Sequence, residues 1–183
     1  MSRAFVKEPD GDELGDGQPE LPISPHPNYV RPQGLAKLKA RLAALQQRRC
    51  VLAADPDDLL TRTPLAQILR ETRYLEARIE HAILVDPARQ PADRVAFGAS
   101  VEVAEEDGKT RRFTIVGEDE AEPERGLVSW ISPLARALND AKVGDLIVWE
   151  RPSGDLELEI LSIRYDLPES GTDAHQSDST AAR

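Results

Sequence analysis

Apolar positions that recur at alternating steps of three and four mark two stretches of the chain as helices. In residues 34–54 they are Leu35, Leu38, Leu42, Leu45 and Leu52. In residues 64–84 the same steps run through Leu65, Ile68, Thr72, Leu75, Ile79 and Ala82. This spacing places the side chains on one narrow stripe of a helix, as at the a and d positions of a coiled coil. The pattern therefore predicts two helices that pack through their stripes.

The two predicted helices have equal length and a short connection. Thr63 is a good N-cap and Pro64 a good first helical residue, so they predict the start of the second helix. At the helical rise per residue, each helix would be about 30 Å long. Equal arms joined within one chain favour antiparallel partners. A stripe this narrow buries little surface, so we expect a protruding hairpin rather than a packed bundle.

The connection between the helices is rich in carboxylates, with Asp55, Asp57 and Asp58 close together. Two interpretations stay open from the residues alone. Acids near the start of a helix stabilise its free amides and its dipole. Alternatively, acids at the end of a rod could be carried into a partner's cleft, where they could bind a metal ion.

From Val95 onward the apolar period changes from about 3.6 to 2, which is typical of half-buried strands. The predicted strands cover residues 95–103, 111–116, 126–131, 146–150 and 156–165. Between the third and fourth strands, Ser132 as cap and Pro133 as first residue predict a short helix through Leu138. Five strands and one small helix predict a compact α+β domain around an antiparallel sheet.

Composition divides the 183 residues further. Residues 1–27 and 167–183 are polar and are expected to be disordered tails, residues 28–86 the hairpin, residues 87–94 a linker and residues 95–166 the β-rich domain. The formal charge of −10 is uneven, because the hairpin region is net basic. A single cysteine, Cys50, and the lack of a long apolar run favour a reduced, cytoplasmic protein without membrane contact.

The ordered series of short motifs resembles the GreA/GreB family of bacterial transcription factors. The motifs are Phe97-Gly98-Ala99, Arg112-Phe113-Thr114-Ile115-Val116-Gly117, Ser132-Pro133-Leu134-Ala135-Arg136-Ala137-Leu138, Val143-Gly144-Asp145 and Ile163-Arg164-Tyr165. Arg73-Tyr74-Leu75 adds a GreB-like feature in the second helix. The resemblance covers roughly residues 28–166. It implies an N-terminal coiled-coil hairpin followed by a domain of the FK506-binding-protein type.

The resemblance also implies a partner and a mechanism. The C-terminal domain would bind RNA polymerase at the rim of its secondary channel, and the hairpin would enter the channel. Asp55, Asp57 and Asp58 would lie at the tip, where Asp57 and Asp58 would help to hold a Mg²⁺ shared with the polymerase. The chain alone would bind no cofactor and would act as a monomeric accessory factor, reaching nucleic acid only through the polymerase. Oxygen ligands suit Mg²⁺, and two metal ions can stabilise both oxygens of a phosphodiester displacement.

The tip departs from the family pattern of Gly-Asp, two residues, then Glu-Asn, because Thr61 and Arg62 occupy the last two places. Each arm is also about one heptad shorter, roughly 10 Å of reach. The leading hypothesis is therefore a polymerase-binding regulator without full stimulation of transcript cleavage. One alternative is a factor that stimulates cleavage of backtracked RNA. Another is a prolyl isomerase or small-molecule-binding domain, which lacks support from any catalytic motif.

Further residues are assigned to polymerase contacts. Arg41, Arg48 and Arg49 could steer the basic face of the hairpin past acidic channel walls, or could be an ordinary solvated helix face. The candidates for the rim contact are Ser132, Pro133, Leu134, Arg136, Asp119 and Glu120. Helix capping and core packing are the competing explanation for the residues of the short helix.

Overall fold

The computed structural model describes residues 19–53 and 59–165, without the side chains of residues 59–62. The acidic connection with Asp55, Asp57 and Asp58, and most of both predicted tails, lie outside the described residues. By its internal contacts the chain divides into two compact units, with the division between Leu84 and Val85. Each unit has its own buried apolar cluster.

Two long helices form most of the first unit. Helix α1 spans Pro32–Leu52 and helix α2 spans Leu59–Glu80. Leu38 of α1 and Leu75 of α2 are buried in one cluster, and Arg41 forms an ion pair with Glu71. Arg41 follows Leu38 in α1, whereas its partner Glu71 precedes Leu75 in α2. The two helices therefore pack antiparallel. Leu35, Leu42, Leu45 and Ile79 are partly buried against this cluster, so the predicted stripe is the packing surface.

A pair of short strands closes this unit where α1 begins and α2 ends. Strand β1, Asn28–Val30, pairs in parallel with β2, Ala82–Leu84. Val30 is buried in the same cluster as Leu38 and Leu75. The side-chain amide of Asn28 donates a hydrogen bond of 2.6 Å to the carbonyl of Arg78, which is itself buried. The start of α1 and the end of α2 are thus fastened by backbone pairing and by a buried polar contact.

The predicted bounds of the second helix are wrong at both ends. Helix α2 begins at Leu59, so Pro64 lies inside it rather than at its first position. A proline in the second turn lacks an amide hydrogen, so the helix loses one backbone hydrogen bond near its start. The loss affects that turn only. At the other end the helix stops at Glu80, and residues 82–84 form β2 instead.

A five-stranded sheet forms the centre of the second unit. Its strands are β3 (Ala99–Glu105), β4 (Thr110–Val116), β5 (Leu127–Ser129), β6 (Leu146–Trp149) and β7 (Leu156–Tyr165). They lie in the order β5-β4-β3-β7-β6, so β5 and β6 are the edges. Short 3₁₀ turns cover Pro87–Arg89, Glu118–Glu120 and Pro123–Arg125. Helix α3 spans Pro133–Leu138 between β5 and β6.

The core of this unit lies on the face of the sheet that α3 covers. Leu134 and Leu138 of α3 belong to the same buried cluster as the inward positions of the strands. Those positions alternate, as in Val101 and Val103 of β3 and Leu158 and Ile160 of β7. The two-residue period predicted from the sequence therefore divides this sheet into an inner and an outer face.

The α+β class is confirmed, but the expected all-antiparallel sheet is wrong. Strand β5 pairs with β4 in parallel, so the sheet is mixed. The first strand of the unit also begins at Ala99 rather than at Val95. Val95 is buried without belonging to a strand, and the neighbouring Ala96 amide donates to the Tyr165 hydroxyl at 2.9 Å. That hydroxyl donates in turn to the carbonyl of Arg94 at 2.8 Å, and burial raises the pKa of Tyr165.

Replacing Leu75 by Ala should lower the free energy of unfolding of the helical unit by about 2–5 kcal/mol, because it leaves a cavity between α1 and α2. Leu75 is 1% exposed, whereas Val51 on α1 is 75% exposed. Urea unfolding followed by circular dichroism at 222 nm measures the change. Val51→Ala is the control and should unfold close to the wild type. Equal midpoints for the two variants would contradict the packing described for Leu75.

Candidate functional site

The predicted tip site lies in the segment that joins the two long helices. Helix α1 ends at Leu52 and α2 begins at Leu59, so Asp55, Asp57 and Asp58 occupy the intervening residues, outside the described part of the chain. Their assignment as metal-binding acids stays a prediction. The flanking helices are described and pack antiparallel, so the end of α1 and the start of α2 lie at the same end of the helix pair.

Helix α1 presents a basic surface in an acidic protein. Its sequence contains five lysines and arginines and no carboxylate. The predicted residues Arg41, Arg48 and Arg49 are all exposed, as are Lys37 and Lys39. Arg41 forms an ion pair with Glu71 of α2. The basic side chains of α1 are therefore exposed to solvent. Such a surface suits a partner surface lined by acids.

An acidic residue before the hairpin also contacts α2. The guanidinium of Arg73 donates to both carboxylate oxygens of Glu20, including a contact of 3.3 Å from Nε. This hydrogen-bonded pair raises the pKa of Arg73. Both side chains are more than half exposed, so the contact positions the chain before β1 but adds little stability. Sequence reasoning missed it, because no local pattern links residues 53 positions apart.

Four of the predicted rim residues, Ser132, Pro133, Leu134 and Arg136, lie at the start of α3. The Ser132 hydroxyl caps the helix by accepting from the Ala135 amide at 3.2 Å, and Pro133 is the first helical residue. Leu134 is buried in the core, so its side chain packs the helix onto the sheet. Pro133 and Arg136 are exposed. The structure thus assigns a packing role to Leu134, whereas Pro133 and Arg136 lie at the surface.

The other predicted rim residues, Asp119 and Glu120, lie in the 3₁₀ turn Glu118–Glu120, which follows β4. Asp119 is exposed and Glu120 half-buried, and both make interactions within the fold. This turn and α3 both contact β5, so the short strand links the two groups of candidates. Gly126, just before β5, has a φ of 73°, and a Cβ there would approach the carbonyl oxygen of Arg112 to 2.5 Å. Only glycine fits this close approach without moving the backbone, which fixes the second 3₁₀ turn, Pro123–Arg125, against β4.

The described side chains do not form a metal-binding cluster. In residues 19–53 and 59–165, no three histidines, cysteines or carboxylates gather closely enough to hold an ion. Among the described helices, none is long and apolar enough to cross a bilayer.

Comparison with known proteins gives consistent results across most of the chain. Residues 90–165 match the family profile described as "Transcription elongation factor, GreA/GreB, C-term". "Transcription elongation factor GreB" of Neisseria meningitidis serogroup B (strain MC58) is 37% identical over 153 residues, covering 75% of this chain and 94% of the relative. "Transcription elongation factor GreA" of Alkalilimnicola ehrlichii is 45% identical over 93 residues, covering 50% of this chain and 59% of that protein.

A solved structure, "Prokaryotic transcription elongation factor GreA/GreB from Nitrosomonas europaea", also matches. It is 23% identical, and the match covers 75% of this chain and 99% of that one, with a TM-score of 0.38.

Replacing Ser132 by Ala should lower the free energy of unfolding of the β-rich unit by about 1 kcal/mol, because α3 loses its N-cap. Ser132→Thr should retain most of the stability, since its hydroxyl can accept the same bond. Urea titration followed by tryptophan fluorescence measures the effect, because both tryptophans, Trp130 and Trp149, lie in this unit. Ser153→Ala, in an exposed turn, is the control. A Ser132→Ala midpoint equal to that of the control would show that the cap does not stabilise the unit.

Proposed function

This chain belongs to the GreA/GreB family of transcription elongation factors, and from that premise we propose that it binds RNA polymerase and acts through the polymerase's secondary channel. Members of this family are accessory factors to the polymerase rather than enzymes. The observation that carries the proposal is the relationship to GreB at 37% identity over 94% of that protein's length. We further propose that the factor works as a cytoplasmic monomer and reaches nucleic acid through the polymerase.

In this proposal the β-rich unit, of the FK506-binding-protein type, provides the docking surface. The exposed Pro133 and Arg136 on α3 and the exposed Asp119 in the preceding turn would contact the channel rim. Ser132 supports them by capping α3, and Leu134 by anchoring the helix in the core. A docking surface held by a buried residue and a cap loses little conformational freedom on binding, which favours affinity.

The helical unit would be the part that enters the channel as a coiled-coil hairpin. Support comes from the antiparallel packing of α1 and α2 through one narrow stripe, which gives a long and stiff pair of helices. The unbroken basic charge of α1, including Arg41, Arg48 and Arg49, would attract the hairpin to acidic channel walls and speed association.

The tip acids would then act at the active site of the polymerase. Asp57 and Asp58, with Asp55 beside them, would contribute carboxylate oxygens to a Mg²⁺ shared with the polymerase. Thr61 stands where the family pattern has Glu, and a hydroxyl cannot replace that negative charge. We therefore propose that the factor occupies the channel and slows or redirects transcription without full stimulation of transcript cleavage.

A cleavage assay tests the role of the tip. Purified backtracked elongation complexes with 5′-labelled RNA should release little shortened RNA beyond the intrinsic rate when saturated with the factor. Nucleotide addition should slow several-fold under the same conditions. Asp57→Ala/Asp58→Ala should relieve this inhibition while retaining polymerase binding, because the docking surface is unchanged.

Two outcomes of that assay would contradict the proposal. Rapid shortening of the RNA that the double aspartate variant abolishes would identify a cleavage factor. Loss of polymerase binding in the same variant would show that the tip, rather than the β-rich unit, provides the affinity.

The docking surface has its own test. Arg136→Glu should weaken binding to RNA polymerase core enzyme at least tenfold, because it reverses an exposed charge at the proposed contact. Lys109→Glu, at the exposed turn between β3 and β4, makes the same change in net charge and is the matched control. Biolayer interferometry with immobilised polymerase measures both. Equal affinities for the two variants would remove α3 from the docking surface.

A further inference from the structure

The outer face of the sheet carries a group of exposed apolar side chains at the β6 edge. Leu146 is 71% exposed, Val143 59%, Val148 48% and Leu161 39%. Side chains of this size are usually exposed singly, whereas a contiguous apolar patch marks an interaction site. These four residues are called the β6 patch below.

The strand register shows that the patch is contiguous. Leu146 and Val148 are two apart on β6 and therefore point to the same face. Leu146 lies opposite Glu159 of β7, so Leu161 is its diagonal neighbour on that strand. Val143 is brought to the same place by the bond from the Gly144 amide to the Ile160 carbonyl at 2.8 Å.

A row of carboxylates borders the patch. Glu159 and Glu157 of β7 lie opposite Leu146 and Val148, and both glutamates are exposed. Over residues 143–161 the sequence has five carboxylates and one basic residue. The surface therefore combines apolar area with a negative rim along one side.

The β6 patch lies on the other face of the sheet from the proposed polymerase contact. Ile147 and Leu158, which alternate with the exposed residues, are buried in the core with Leu134 and Leu138 of α3. Helix α3 thus covers the inner face, and the β6 patch occupies the outer face. A partner on the outer face would leave Pro133 and Arg136 accessible.

We propose that the β6 patch binds a polypeptide segment of a second protein in which an apolar stripe is flanked by lysine or arginine. The apolar side chains would cover Leu146, Val148 and Leu161, while the cations would pair with Glu157 and Glu159. Strand β6 is an edge of the five-stranded sheet, so within residues 19–53 and 59–165 no further strand pairs beyond it. A second copy of this chain is a poorer occupant, because two such patches would bring their glutamate rows together. An anionic membrane is repelled by the same row.

Binding of defined peptides to the full-length protein tests the proposal. The probe is a fluorescein-labelled helical peptide with a leucine stripe flanked by lysines, and its counterpart has glutamate in place of every lysine. Fluorescence anisotropy should show saturable binding of the lysine peptide and at least tenfold weaker binding of the glutamate peptide. Raising the salt from 50 to 300 mM should weaken the first interaction several-fold, since its ionic part is screened.

Matched variants distinguish peptide binding at the β6 patch from general electrostatic attraction of the peptide to an acidic protein. Leu146→Thr/Val148→Thr should weaken lysine-peptide binding at least tenfold, whereas Ile83→Thr, another exposed β position, should not. Glu157→Lys/Glu159→Lys should also weaken it at least tenfold. Glu106→Lys/Glu124→Lys changes the net charge equally at exposed sites elsewhere in the unit and should have less than a threefold effect.

Several results would overturn the proposal. An equal loss of affinity for the lysine peptide in both charge-reversal variants would show general attraction to an acidic protein rather than a site. Unchanged affinity in Leu146→Thr/Val148→Thr would show that the apolar side chains do not contact the peptide. Self-association in sedimentation equilibrium that this variant abolishes would make a second copy the occupant. Tighter peptide binding after deletion of residues 1–7, which combine Arg3 and Lys7 with Phe5 and Val6, would make this chain's own segment the occupant.

Discussion

The packing of α1 against α2 is the constraint on which the first unit depends. A pair of helices that meets along one stripe buries few side chains, and those near Leu38 and Leu75 supply its apolar cluster. The β1–β2 pair fastens the ends of the helices beside this cluster, and Val30 contributes to it directly. The two helices are therefore held together at the end where the backbone of β1 and β2 is paired and where the Asn28 amide donates to the Arg78 carbonyl.

The second unit is organised by a different period. Alternation along β3, β6 and β7 supplies one apolar face to α3, and the opposite face consists of residues that the core does not use. In most positions that outer face is polar, as expected for a sheet with one solvated side. At β6 it is not, and Leu146 and Val148 remain in solvent. The same alternation that builds the core thus exposes the β6 patch beside Glu157 and Glu159.

Charge is distributed by element rather than uniformly. Helix α1 is basic and exposed in a chain of net charge −10, while the outer edge of the sheet is acidic. Charges of opposite sign on separate units permit contacts with different partner surfaces, and ionic strength should affect both. The exposed ion pairs, such as Arg73 with Glu20, contribute little to stability, so folding depends on the two apolar clusters.

The sequence by itself determined what depends on local periodicity and capping. Heptad spacing identified Leu38 and Leu75 as packing residues, alternation identified the inward face of the strands, and the Ser132-Pro133 pair identified the start of α3. The α+β class followed from these periods, and the family followed from motifs in a fixed order. The assignments of Asp55, Asp57 and Asp58 remain predictions of the sequence.

Tertiary structure decided the features that join residues distant in the chain. Residues 82–84 continue the helical pattern locally, yet they form a strand because Asn28–Val30 offers a backbone partner. Val128 pairs in parallel with Ile115 because the turn at Gly126 places β5 beside β4, which alternation alone does not specify. Leu134 and Leu146 are both leucines at apolar positions, but one is buried under the sheet and the other lies in solvent. Local sequence sets which faces are apolar, whereas only the folded chain decides which of those faces finds a partner.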